Sequence, residues 1–312
     1  MISSSQVAAL LLLSQWVVAQ AGTAQGATVQ GAKGAADSHF GVLLMAHGGQ
    51  AAWNEGVLQA LEPLREQYPL QVAFGMADAG SLERAVRALE AEGVSHVAVV
   101  RLFVSGESWY QRTRQILGLE PGAPDKPAPA HTGHQEEGGS HAMGFWRIDT
   151  DITFTLSEQG LVEAEEMDAI LLERARGLSS NPARENVLIL AHGPGDDAEN
   201  ARWLEQLDAR AELLRQTLPF QQVAVFTLRE DWPEKRELAQ QQVRDFIQTG
   251  SEEGYTTLVL PFRVQGFGPY AEVLEGLPYR ADHTGLVPHA NVVQWVARQI
   301  EEQRARLLAQ LD

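Results

Sequence analysis

The chain has 312 residues, long enough for two domains with a sizeable core. Its net charge of -17, from 24 basic and 41 acidic side chains, argues against a nucleic-acid partner or an anionic membrane surface, because both need clustered Lys and Arg. It leaves room for an anionic small molecule held by a few local arginines. There is no cysteine, so disulfides and thiolate metal sites are excluded, and a bound metal would rest on His, Asp, Glu or water.

Residues 1–37 differ from the rest. Val7 to Ala19 is mostly apolar, interrupted by Ser14 and Gln15, and small-residue sites follow at Ala19-Gln20-Ala21 and Ala24-Gln25-Gly26. This reads as a secretory signal peptide and a low-complexity Ala/Gly/Gln spacer, although Met1 to Gln6 carries no Lys or Arg. The apolar run falls short of the roughly 20 residues that span a bilayer, so no stable membrane insertion is expected. The expected location is periplasmic or secreted, with a cytoplasmic protein carrying a flexible tail as the alternative.

The first lobe is expected over 38–182. A strand at Val42–Met45 leads into a helix from about Ala51 to Tyr68, with Val57, Leu58, Leu61 and Leu64 near helical spacing and Pro69 at its end. Leu70–Phe74 reads as a strand. A helix capped by Ser81 runs to Gly93, and the β-branched run His96–Val104 is the next strand. An insertion at 120–143, rich in Pro, Gly and Glu, holds His131, His134 and His141 with Glu136 and Glu137 between them. Such a tract can bind a metal weakly or simply be a solvated loop.

The second lobe, 183–312, repeats the order. Strands are expected at Val187–Leu190, Val223–Leu228 and Thr256–Phe262, with helices at Ala198–Thr217 and Pro233–Gly250. The endings also match. Gly160-Leu161-Val162 precedes a helix at Glu165–Ala175, and Gly285-Leu286-Val287 precedes one at Asn291–Leu308. The pattern predicts an α/β protein of two duplicated βαβ lobes with mainly parallel sheets and a ligand cleft between them.

The repeat that carries chemistry is Ala-His-Gly. It ends the apolar run Gly41-Val-Leu-Leu-Met-Ala-His47-Gly48-Gly49 and again Asn186-Val-Leu-Ile-Leu-Ala-His192-Gly193-Pro194. Each histidine is thus expected at the carboxyl end of a buried strand, where open α/β sheets bind ligands. Imidazole there can ligate a metal or act as a base near neutral pH. Gly48, Gly49 and Gly193 would let backbone approach a ligand closely. The loops after the later strands add Glu107, to neutralise a divalent cation or accept a proton, and Arg101, Arg263 and Gln265 as substrate contacts. A local structural pair is an equal alternative for each arginine. His289 is expected as a surface or capping residue.

These strand ends, the segment Ser81–Val104 and the Gly-Leu-Val-Pro-His ending at 285–289 resemble the class II metal chelatases. The nearest pattern is that of the CbiX-type sirohydrochlorin cobaltochelatases in their longer, two-lobed form. The resemblance implies insertion of Co2+ (alternatively Ni2+ or Fe2+) into a tetrapyrrole without ATP or an organic cofactor. It makes His47 the metal-binding histidine and His192 its copy. The family places a second histidine in the later loop, where this chain has Gly106-Glu107-Ser108-Trp109 and Gly266-Phe267-Gly268-Pro269. Three outcomes remain open: Glu107 substitutes as ligand, His47 and His192 pair across the cleft, or the protein binds metal or tetrapyrrole without catalysis.

Overall fold

Among the described residues, the strands carry mostly apolar or β-branched residues, and the central ones are buried on both faces. That is the signature of parallel sheets covered by helices. The computed structural model describes residues 39–128 and 143–310. The signal-like segment and His131, His134 and His141 lie outside the described residues. Among the described residues, no helix is long and apolar enough to cross a membrane.

The first sheet uses β1 (Phe40–Ala46), β2 (Leu70–Phe74), β3 (His96–Leu102) and β4 (Thr153–Leu156), in the order β2-β1-β3-β4. The second uses β5 (Glu185–Ala191), β6 (Gln222–Thr227), β7 (Thr256–Phe262) and β8 (Tyr279–Ala281), in the order β6-β5-β7-β8. All pairs are parallel. The registers coincide: Ala46 lies opposite Phe74 and Leu102, and Ala191 lies opposite Thr227 and Phe262. The two Gly-Leu-Val turns bond alike as well. Leu161 and Val162 donate to the Phe103 and Val104 carbonyls, and Leu286 and Val287 to those of Arg263 and Val264. The duplication read from the sequence is therefore a duplication of hydrogen-bonding pattern.

The helices in chain order are α1 (Ala51–Ala60), α2 (Glu62–Arg65), α3 (Ala79–Ala91), α4 (Tyr110–Ile116), α5 (Glu166–Leu178), α6 (Asp197–Thr217), α7 (Pro233–Glu252), α8 (Tyr270–Val273) and α9 (Ala290–Ala309). Two expectations need correction. The helix expected over 51–68 breaks at Leu61, because Pro63 has no N–H to continue the ladder. The cap of α3 is Asp78, not Ser81: its carboxylate accepts from the Ser81 N–H at 2.7 Å and also from the Gly144 N–H at 2.7 Å.

Side chains alternate between two interiors. Leu43, Met45, Val97 and Val99 face α3, while Leu188, Leu190 and Val259 share a core with Val243 and Ile247 of α7. The opposite faces, Val42 and Leu44 in one sheet and Val187 and Ile189 in the other, join one core shared by both lobes. Two exchanged helices build that shared core. α9, which ends the second half of the sequence, packs on β3 and β4 of the first sheet. Its buried residues Val292, Trp295, Val296, Gln299, Ile300, Gln303 and Leu307 recur at helical spacing. Thr155 of β4 donates to the Gln303 carbonyl at 3.1 Å, and Arg306 meets Glu158 at 2.9 Å. α5, which ends the first half, packs in turn on α6 and β7, with Asp168 against Arg210 at 3.1 Å. The two sheets follow one another in the sequence, but each half's closing helix packs into the other half.

Candidate functional site

The site is built from strand ends. In the order β2-β1-β3-β4 the chain leaves β1 toward β2 and returns to its other side for β3, so the crevice between β1 and β3 is a topological switch point. His47 follows β1 there. β5 and β7 form the same switch point with His192. Gly48 and Gly193 both take left-handed conformations, with φ of 80° and 76°. That turn folds each ring back so that Nδ1 lies 2.8 Å from the Gly48 carbonyl and 2.7 Å from the Gly193 carbonyl. A carbonyl can only accept, so Nδ1 carries the proton in both rings.

The far ring nitrogens differ. His47 is exposed, and its Nε2 has no partner among the described residues. His192 is half-buried, and its Nε2 lies 3.0 Å from Asp231 Oδ2. Both nitrogens of His192 thus face oxygen atoms of neighbouring groups. The loop Arg229–Trp232 wraps this histidine. The Arg229 N–H donates to the His192 carbonyl at 2.7 Å, and Trp232 meets the imidazole edge-to-face at 6.1 Å. The buried Arg229 side chain donates to the Pro194 and Gly195 carbonyls and pairs with Asp197 at 2.9 Å, while Lys235 donates to the Gly195 carbonyl at 2.7 Å. Gly193 is buried under Thr227 and Arg229. In the first lobe Gly48 is half-buried and Gly49 exposed, with Asn54 accepting from the Gly49 N–H at 2.9 Å.

The other expected site residues take different places. Arg101 is fully buried rather than facing substrate. Its guanidinium donates to the carbonyls of Ser157, Ser108, Gly106 and Glu158, at 2.7 to 3.1 Å, and lies 4.6 Å from the Tyr110 ring. Burial pulls its pKa down to about 10, which still leaves it charged at neutral pH. Its task is to pin the loop carrying Glu107. Arg263 pairs with Glu230 and sits 5.4 Å from the Tyr270 ring. Both arginines thus have local partners within the protein.

Glu107 and Gln265 reach across the lobes. Both Glu107 oxygens accept from Arg202 of α6, at 2.8 and 2.6 Å. The Arg202 guanidinium holds this carboxyl below its usual range. The two side chains are nearly half exposed, so solvent screens most of the attraction between them. Gln265 lies against Gly56 of α1, where a Cβ would come within 2.6 Å of its Nε2. Gly56 and Arg202 are each the sixth residue of their helix, so the same helix position meets the opposite lobe's post-strand loop in both halves. Among the described residues, no three His, Asp or Glu side chains gather as a metal cage. A cavity of about 880 Å³ lies between α6 and α7, lined by Phe226, Leu238 and Phe246; neither histidine lines it, but Thr227, Arg229 and Lys235 around the His192 turn do.

Sequence reading missed Arg229, Asp231, Trp232 and Arg202. The first three follow β6 with no counterpart motif in the first lobe, and Arg202 finds its partner 95 residues away. His289 does cap α9, accepting from the Asn291 N–H at 3.0 Å, and its other nitrogen meets Glu173 at 3.1 Å.

No protein-family model and no curated protein matches this chain. Solved structures do. SirB from Bacillus subtilis with Fe3+ is similar over 86% of this chain and 98% of that one, at 14% identity and a TM-score of 0.55. The sirohydrochlorin chelatase SirB from Bacillus subtilis subspecies spizizenii, in complex with cobalt, gives the same coverage, identity and score. A multi-domain Deinococcus radiodurans protein, described as structurally similar to chelatases with two additional novel domains, matches at 20% identity and a TM-score of 0.51. There the similarity covers 84% of this chain but 54% of the other. The likeness is one of fold: this chain has the two-lobed, chelatase-like architecture.

Proposed function

We propose that the protein inserts a divalent metal, Co2+ foremost and Ni2+ or Fe2+ as alternatives, into a tetrapyrrole such as sirohydrochlorin, without ATP. The observation that carries this reading is the open Nε2 of His47 at the switch point of a chelatase-like fold. Insertion needs a ligand that binds a partly dehydrated metal and then releases it. It also needs an acceptor for the two pyrrole N–H protons that the metal replaces. Neutral imidazole suits Co2+ and Ni2+ as a ligand and is a base near neutral pH. His47 Nε2 has a single lone pair, so it can carry the metal or take a proton, one at a time. The bond from Nδ1 to the Gly48 carbonyl fixes the tautomer that leaves this lone pair outward.

A non-catalytic metal- or tetrapyrrole-binding protein on the same scaffold is the second reading. It is favoured by the engagement of His192 with Asp231 and of Glu107 with Arg202, which occupies the other two expected ligands. One assay separates the two. Purified protein is mixed with sirohydrochlorin and Co2+, and the macrocycle's visible bands are followed against a protein-free control. Insertion faster than the spontaneous rate supports the enzyme. A spectral shift on binding without faster insertion supports a tetrapyrrole carrier, and a spectrum identical to the protein-free control would overturn both the enzyme and the tetrapyrrole carrier.

A further inference from the structure

Four large apolar side chains are exposed among the described residues: Leu119, Leu213, Trp232 and Leu238. Trp232 is the aromatic one, with 38% of its surface open. It is also the one that touches a strand-end histidine. Its indole lies over Gly195, where a Cβ would fall 2.2 Å from Cε2, so any other residue at 195 would displace it. Its ring stands at 89° to the His192 imidazole. The indole is thus bedded on backbone, fixed at its edge and open on its remaining surface.

The first lobe reaches a similar arrangement by another route. Trp53, from the first turn of α1, lies over Gly49, where a Cβ would be 3.2 Å from the indole Cγ. It meets Phe74 edge-to-face at 6.4 Å. One indole comes from α1 and the other from the residue before α7, yet each covers a glycine two or three residues past its histidine. The repeated feature is therefore histidine, glycine turn and indole together.

We propose that Trp232 is a stacking surface for a planar, conjugated ligand brought to the His192 turn. For the identity of that ligand, a tetrapyrrole macrocycle, this rests on the function proposed above. Stacking on an open indole uses the ring's quadrupole and its flat face, and both survive in part in phenylalanine, whereas leucine keeps apolar area alone. Leucine still packs on Gly195, which separates stacking from simple support of the turn.

The test titrates metal-free sirohydrochlorin into the wild-type protein, W232F and W232L, following the macrocycle's visible absorption. We expect binding by W232F to weaken about threefold and by W232L about tenfold. Undiminished binding by W232L would overturn the proposal, as would equal weakening in both variants. Metal insertion is measured separately in the wild type. Binding without insertion would remove the enzyme reading and leave the stacking surface standing. Failure of the wild type to bind sirohydrochlorin would remove both.

Discussion

The two strand-end histidines share a turn, a glycine conformation and a backbone acceptor, yet they face different surroundings. His47 sits in a loop bonded to the Asn54 side chain and covered by Trp53, with its outer nitrogen open. His192 sits in a loop clamped by Arg229 and Lys235, with its outer nitrogen taken by Asp231. Duplication thus preserves the scaffold that presents an imidazole while neighbouring loops decide whether that imidazole is free. The same divergence runs through the strands. Arg101 of β3 occupies the register position of Pro261 in β7, and Phe40 of β1 that of Glu185 in β5.

The first of those mismatched positions is where the comparison breaks most sharply under mutation. Arg101→Met leaves four carbonyls without their donor in a buried site, and we expect it to destabilise the fold by about 3–5 kcal/mol. The urea unfolding midpoint reads this directly, and an unchanged midpoint would show that the arginine does not hold the loop. The two glycines sharpen the comparison next. A Cβ at Gly193 would lie 2.5 Å from the Thr227 Cβ, against 3.1 Å from the Phe74 Cβ at Gly48. Both substitutions strain a left-handed residue, so Gly193→Ala should cost about 2–4 kcal/mol and Gly48→Ala about 1–2 kcal/mol. Equal midpoints for the two variants would mean that the loops are equally tight.

Glu185 gives the smallest and most condition-dependent effect. Burial works against its charge, but donors from Ser179, Ser180, Asn181 and Arg280 outweigh it and bring its pKa from 4.5 down to about 2. A lowered folded-state value means stability that is complete above pH 4.5 and lost as the pH falls toward 2. Glu185→Gln should therefore unfold more easily than wild type near neutrality and converge with it at the acid end. A difference independent of pH would rule out this carboxylate as the cause.

Much of this fold was legible because its signals are local. Apolar runs ending in Ala-His-Gly, the paired Gly-Leu-Val turns and the Gly residues that tolerate positive φ each occupy a few consecutive residues. The crossing of α5 and α9 was not legible, because an amphipathic helix declares its buried face but not the sheet that receives it. The break at Leu61 has a local cause in Pro63, but the apolar spacing runs on through Leu64 and masks it. At the site, sequence located both histidines but not their inequality. That inequality rests on Asp231 and Arg229, charged residues in an aperiodic loop. Glu107 read as a free carboxylate because Arg202 lies far along the chain.

The most direct measurement compares Co2+ insertion into sirohydrochlorin by His47→Ala and His192→Ala at equal protein concentration. If the free imidazole is the reactive one, His47→Ala should lose at least about a hundredfold in rate, in line with loss of a general base. His192→Ala should stay within several-fold of wild type. A loss in His192→Ala as large as that in His47→Ala, or full activity in His47→Ala, would contradict the assignment of the first lobe as the working one.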